Sequence, residues 1–449
     1  MKKCKKALDK WEFVCYNIGV LREWRNWQTR TFEGRVVIRT GSSPVSRTKH
    51  RVALLLCVFL INTERGTFMQ NGKTILIGAD LVPSASNEAD FIAGDARALV
   101  GEELKEIFDR AALRIANLEV ALSQRGAPIA KAGPNFCVSP DTVNGYRALG
   151  INLLTVANNH TMDYGRDAFM DTLATLSEAG IASVGGGKDQ KSAAQPYVTE
   201  IDGKRIGVYA CCEHEFSWAE DYGCGANGFD PLESLDEIAA LRARVDYLIV
   251  LYHGGREQYR YPSPYLRKVC RKIADKGADL VLCQHTHCVG AKEEYRGSTL
   301  VYGQGNLLFD FIDNEYWNNG ILVLVDVADK FRISYIPYEK QGKGIRLSED
   351  PSILDGFFAR SEEIRREGFV EEHFHAYALS QLVPYYYNNI FKDYIDPALI
   401  SGEMRKTVQN CLQCEVHREI LIETLKADRL ESELLCTPNE DPSIKKLLP

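Results

Sequence analysis

Five short apolar runs in this 449-residue chain each end on a side chain able to bind a metal ion. Ile75-Leu76-Ile77-Gly78-Ala79 leads into Asp80, Ile115-Ala116-Asn117-Leu118 into Glu119, and Leu153-Leu154-Thr155-Val156-Ala157 into Asn158-Asn159-His160. Leu248-Ile249-Val250-Leu251-Tyr252 leads into His253, and Leu280-Val281-Leu282-Cys283-Gln284 into His285-Thr286-His287. Runs of this length, bounded by polar residues and separated by helical periods, read as buried strands of a layered α/β fold. Ligands of an open α/β sheet lie beyond the carboxyl ends of its strands, so the five tips are expected to converge. One His after a strand is more often a hydrogen-bonded structural residue. Five such endings together are much harder to explain that way.

The chemistry of the set is coherent. Carboxylates, imidazoles and an amide oxygen are the mixed donors used by pairs of Mn, Fe or Zn ions. A carboxylate can bridge two cations, and the pair turns a shared water into hydroxide near neutral pH. In a turn, the His285-x-His287 spacing can aim the two rings at different ions.

The strand reading covers Thr74–Gly78, Arg114–Leu118, Asn152–Ala157, Ala182–Val184, Arg205–Cys211, Tyr247–Tyr252, Leu280–Cys283, Thr299–Tyr302, Ile321–Val327 and Arg332–Ile336. Helices are expected at Gly101–Ala111, Pro140–Leu149, Arg166–Ala179, Leu232–Val245 and Tyr265–Lys276. Strand signals stop after about residue 341, and Ser361–Arg366, Phe374–Leu382 and Met404–Lys426 read as an all-helical appendage. The expected organisation is therefore a core at 69–340 and a helical extension at 341–449.

Residues 1–68 stand apart. They hold 14 Lys+Arg against 5 Asp+Glu, leaving 40 against 56 in the remainder, a formal −16. So acidic a body excludes a general nucleic-acid binder and makes a polyanionic substrate awkward unless metals compensate. Gly41-Ser42-Ser43-Pro44 and the stretch Glu23–Arg30 resemble a transfer-RNA gene read as coding sequence, which implies a natural start at Met69 and a cytoplasmic protein. The alternative is a basic arm followed by an anchor at Val52–Ile61, as in a membrane-associated or extracellular protein. That run is too short for the ~20 residues of a spanning helix. The 13 Cys form no regular framework, and pairs such as Cys211-Cys212 fit reduced, structural thiols.

The motifs resemble the CapA family of capsule and poly-γ-glutamate biosynthesis, whose domain is similar to the calcineurin-like metallophosphoesterases. The matching pieces are Gly78-Ala79-Asp80, Asn117-Leu118-Glu119, Asn158-Asn159-His160-Thr161-Met162-Asp163-Tyr164-Gly165 and Gly185-Gly186-Gly187. His253-Gly254-Gly255-Arg256-Glu257, Gly277–Val281 running to His285-Thr286-His287, and Tyr302-Gly303-Gln304-Gly305-Asn306 with Phe309-Asp310 follow in family order. The resemblance implies a four-layer α/β/β/α sandwich and two divalent ions. It assigns Asp80, Glu119 and His287 to one ion, and Glu119, Asn159, His253 and His285 to the other. His160 becomes the outer-sphere acid, positioned by Asp163.

Asn158, Arg256, Glu257 and Asn306 are the expected substrate contacts, although Arg256 and Glu257 also read as a solvated pair and Asn306 as a turn residue. Two departures stand out: Val82 replaces the His of a phosphoesterase Asp-x-His, weakening the first ion site, and Gly254 replaces the family's Trp, which would widen the pocket. The Gly185–187 triplet reads as a turn rather than an anion site. Cys411, Cys414 and His417 lie at helical spacing and read as core residues.

The implied activity is hydrolysis by metal-activated water, on an anionic polymer, its precursor or a phosphorylated small molecule. A general metal-dependent phosphoesterase and a non-catalytic scaffold for membrane polymer-synthase subunits are the alternatives.

Overall fold

The computed structural model describes residues 73–328, 331–382, 384–386 and 402–426. The expected start at Met69, the transfer-RNA-like stretch and the Val52–Ile61 run lie outside the described residues. Two mixed sheets form the core. The first runs Gly344–Leu347, Arg332–Gln341, Asn319–Asp326, Thr74–Val82, Leu113–Leu118, Leu153–Thr155, Ala182–Val184, with Asn306–Phe309 also pairing with Thr74–Val82. The second runs Lys292–Tyr295, Ser298–Val301, Leu280–Gln284, Tyr247–His253, Lys204–Cys212, Tyr197–Ile201.

Strand residues alternate between two buried faces, which is why the runs are continuously apolar. Ile75, Ile77, Ile115 and Leu153 of the first sheet meet Val208, Ile249, Leu251 and Leu282 of the second in the central core. On the outer face of the first sheet, Leu76, Ala116 and Leu154 pack against Leu99, Leu104 and Phe108 of helix Ala96–Arg110 and Phe169 of helix Gly165–Glu178. On the outer face of the second, Leu248, Val250 and Val281 pack against Ile238 and Leu241 of helix Ser234–Arg242 and Leu266 and Ile273 of helix Pro264–Asp275. The order is helix, sheet, sheet, helix, the expected four-layer α/β/β/α sandwich. Each aliphatic side chain so buried contributes roughly 1.5–3 kcal/mol.

Local signals explain the helix starts. Asp95 accepts a hydrogen bond from Ala98 N at 2.9 Å, and Ser263 caps Pro264–Asp275 through Leu266 N at 3.1 Å, with Pro at the first helical position.

Three sequence expectations need correction. A further strand, Gly344–Leu347, follows residue 341 and closes an antiparallel hairpin on Arg332–Gln341. Its signal was a two-residue turn, Gly342-Lys343, in which Gly342 takes φ 62°. The expected single helix Met404–Lys426 is two helices, Gly402–Gln413 and Glu415–Thr424, parted at Cys414, whose backbone is extended (φ −63°, ψ 129°). The helix expected at Ser361–Arg366 is instead the end of Ser352–Glu363.

The glycine triplet, expected as a turn, is a bend at Gly185 followed by a two-residue strand, Gly186–Gly187. Gly185 sits at φ 81°, and Gly186 and Gly187 pair with Ala226 and Gly225. A Cβ on Gly185 would lie 2.6 Å from Ala157 Cβ and 2.8 Å from Ala210 Cβ, one from each side of the sandwich. Gly185→Ala therefore adds a left-handed backbone strain to an overpacked core. It is expected to cost roughly 2–5 kcal/mol, read as a lower urea midpoint at unchanged m-value.

The C-terminal helices pack on the same face as the strand ends. Phe374, Ala378, Tyr386, Cys411, Cys414, Val416 and Ile420 form an apolar cluster around Tyr259. No helix among the described residues is long and apolar enough to cross a membrane, and the nine described cysteines are free thiols.

Candidate metal centre

Parallel pairing sets the strand ends side by side. Asp80 is in register with Asn117, Asn117 with Thr155, and His253 with Gln284. The register shifts on both sides of Asp80, a bulge that re-aims its carboxylate out of the pleat. The two sheets are stitched at this point: Gln284 Nε2 donates to Gly78 O at 3.0 Å and His285 N donates to Asp80 Oδ2 at 3.0 Å.

The six residues expected to bind metal meet here. His253 Nε2 lies 3.0 Å from Asn159 Oδ1 and 3.5 Å from Glu119 Oε1. His287 Nδ1 lies 3.4 Å from Asp80 Oδ2 and donates to Asn306 Oδ1 at 2.8 Å. Glu119, His285 and His287 each offer a ligand atom within 4.8 Å of the others. The His253 and His285 rings are 4.8 Å apart. Both His285 (φ 91°) and His287 (φ 52°) hold left-handed backbone angles, each costing roughly 1–3 kcal/mol, which a structure retains only where its surroundings impose it.

Glu119 is fully buried, yet neither carboxylate oxygen has a hydrogen-bond partner, and His285 Nδ1 is likewise unpaired. Orphaned buried acceptors of this kind, facing imidazoles and a second carboxylate, fit a divalent cation. Burial and then the Asp80 charge push the Glu119 carboxyl up to about 7. Burial lowers His253 to about 4. Burial also opposes a charge on His287, but its contact with Asp80 and the Glu119 charge outweigh it and raise the ring to about 10.

His160 stands beside this group, with Nε2 4.0 Å from Glu119 Oε1. Its Nδ1–H donates to Asp163 Oδ2 at 2.6 Å, which turns Nε2 toward the centre. Asp163 also accepts from Phe136 N at 2.6 Å and pairs with Lys131. Asn158 accepts from His160 N at 3.1 Å and donates to Asn117 Oδ1 at 3.0 Å and Leu118 O at 2.8 Å.

The expected substrate contacts are arranged differently from one another. Asn158 spends its amide on this scaffold, and Asn306 holds His287. Arg256 is half-buried and turned toward the C-terminal helices, its Nε donating to Tyr377 at 2.9 Å and its guanidinium 5.3 Å from the Tyr385 ring. Glu257 is exposed.

The wider pocket expected from Gly254 is absent. A Cβ there would fall 2.5 Å from Glu213 Cγ and Cδ, so the Glu213 side chain occupies the space. Val82 is buried within its strand, in register with Phe309, and offers no ligand.

Sequence reasoning missed Lys131, Asn117, Glu215 and Trp317. Lys131 lies in an aperiodic loop, and nothing local ties it to Asp163. Asn117 reads in sequence only as part of an Asn-Leu-Glu motif, yet its Nδ2 donates to Asp80 Oδ1 at 2.8 Å and lies 3.2 Å from His253 Nδ1. Trp317 covers the His287 ring at 4.5 Å. Glu215 lies 3.8 Å from His285 Nε2.

Two face-to-face sheets lie between helical layers, and carboxylates, an amide and imidazoles from both sheets meet at the strand ends as a candidate metal centre. The chain belongs to the family described as bacterial capsule synthesis protein PGA_cap, whose model matches residues 75–311. It is 27% identical over 188 residues to the capsule biosynthesis protein CapA of Bacillus anthracis, covering 40% of this chain and 46% of that protein. Against the PGA biosynthesis protein CapA of Bacillus subtilis (strain 168) it is 27% identical over 174 residues, covering 38% and 46%. The chain thus spans about half the length of the curated relatives it matches.

Among solved structures, a phosphatase from Mycoplasma pneumoniae aligns with TM-score 0.39 at 15% identity, covering 64% of this chain and 97% of that one. A 5'-nucleotidase precursor from Thermus thermophilus aligns with TM-score 0.35 at 14% identity, covering 69% and 59%.

Proposed function

We propose that this chain is a metal-dependent hydrolase of capsule or poly-γ-glutamate synthesis, acting on an anionic polymer, its precursor or a phosphorylated intermediate. The observation that carries the reading is Glu119, buried without a hydrogen bond between four imidazoles and Asp80. Asp80, Glu119 and His287 would hold one divalent ion, and Glu119, Asn159, His253 and His285 the other. Bound there, Mn, Fe or Zn ions supply a water acidic enough to attack at neutral pH and offset the charge of an anionic substrate.

The protein's own groups do the rest. Asn117 orients Asp80, and Asn306 fixes the His287 ring, as outer partners of metal ligands do. His160, held by Asp163 through Nδ1, presents Nε2 to a leaving group. A general phosphoesterase is the broader form of the same chemistry, since the donor set and the acid are indifferent to what the phosphate carries.

Metal analysis of the purified chain tests the proposal. Two divalent ions per chain, reduced by His285→Ala together with activity, is the expected result. A metal-free wild type with unchanged behaviour in that variant refutes it.

Val82 favours a second reading, a scaffold for membrane polymer-synthase subunits, because the first ion lacks the extra His ligand. Native capture of synthase subunits, with polymer output unaffected by Glu119→Gln, would support that reading over hydrolysis.

A further inference from the structure

Outside the ligand set above, one mixed cluster joins the core to the C-terminal helices. Glu215, Cys414 and His417 each offer a ligand atom, all within 4.8 Å of one another. Glu215 follows strand Lys204–Cys212. Cys414 caps helix Glu415–Thr424 from the break between the last two helices, and His417 stands in the first turn of that helix. Cys414 at the N-cap position and His417 three residues on lie on one face of the same helix start, as i, i+3 neighbours do.

Two of the three side chains already have an outer partner. Glu215 Oε1 accepts from Asn410 Nδ2 at 3.0 Å, and His417 Nδ1 shares a 2.8 Å hydrogen bond with the Tyr386 hydroxyl. With Nδ1–H donating to Tyr386, Nε2 is left with its lone pair. Outer hydrogen bonds that fix ring and carboxylate are characteristic of metal ligands. A fourth donor is at hand: Glu213 Oε2 lies 3.9 Å from Cys414 Sγ, and Glu213, Cys414 and Glu415 also fall within 4.8 Å of one another.

We propose that Glu215, Cys414 and His417 bind a third cation, a zinc-type ion, which pins the C-terminal helices beside the metal centre. One thiolate, one imidazole and one carboxylate match tetrahedral Zn²⁺ better than Mg²⁺ or Ca²⁺, which take oxygen ligands. Binding expels the Cys414 thiol proton to solvent. The ion links residues about two hundred apart in sequence, so it closes a long loop and stabilises the folded chain. Glu215 lies 3.8 Å from His285 Nε2, so the same residue places the pinned helices against the centre.

Cobalt titration of the chelator-stripped full-length protein tests this. None of the residues assigned to the first two ions is a cysteine, so the near-ultraviolet thiolate-to-cobalt charge-transfer band that Cys414→Ser removes reports the third site. The band is expected in wild type and in Glu119→Gln, absent in Cys414→Ser, and displaced to at least roughly tenfold higher cobalt in His417→Ala. No band in wild type, or an undiminished band in folded Cys414→Ser, overturns the proposal. Should circular dichroism show Cys414→Ser unfolded, an unchanged titration in His417→Ala overturns it equally.

Discussion

Glu119→Gln is expected to stabilise the metal-free chain at pH 8 while removing hydrolysis. Glu119 has an ordinary value of 4.5 and sits at about 7 in the fold because it is buried beside Asp80. Below about 4.5 the carboxyl is protonated folded or unfolded, so it costs nothing. Between 4.5 and 7 only the folded state keeps the proton, so rising pH erodes stability, and above 7 the full penalty applies. A shift of that size corresponds to roughly 3 kcal/mol. Gln carries no charge but leaves its amide without partners, so a net gain of roughly 1–3 kcal/mol is expected. It should vanish at pH 4.

Adding Mn²⁺ or Zn²⁺ reverses the order. The ion holds the carboxylate charged and stabilises wild type by about 4 kcal/mol at a thousand times its Kd, whereas the variant gains much less. Turnover should fall roughly a thousandfold. Thermal melts at pH 4 and 8, with and without metal, read all of this. Equal metal responses in the two proteins would remove Glu119 from the centre. The lowered His253, whose protonation costs stability as pH falls from its ordinary 6.5 toward about 4, is present in both proteins and cancels in the difference.

His160→Ala should lower turnover by roughly 10²–10⁴-fold with bound metal unchanged. Its Nε2 faces Glu119 from 4.0 Å, but none of the ions assigned above depends on it. Asp163→Asn keeps the ring in place and removes the acceptor that fixes its Nδ1–H, so activity falls although His160 is present. Lys131→Met differs again: it leaves the fully buried Asp163 charge without its cation and should cost roughly 3–5 kcal/mol in stability. If His160→Ala instead loses both metals, the ring is a ligand and the acid role is wrong.

Most of the layered fold was readable because a buried strand must be apolar on both faces, as Thr74–Val82 and Tyr247–His253 are. The misreadings fell where local pattern is weakest. Four residues of Gly344–Leu347 are too few to show a period, and one non-helical residue, Cys414, cannot be seen inside a helical periodicity. Asp80, Glu119, Asn159, His160, His253, His285 and His287 were legible as candidates because each lies within three residues of the end of an apolar run.

Lys131, Glu215 and the filling of the Gly254 space by Glu213 were not legible. Their partners lie at Asp163, His285 and Gly254, on other segments. Alternation of hydrophobic and polar residues along a chain determines which segments become strands and where a strand ends, because burial acts on each residue through its own side chain. Which ends share a site, and which charges meet there, was decided by the packing of two sheets and a folded-back helical pair. A contact between distant residues is an interaction energy of the assembled fold, with no counterpart in local sequence.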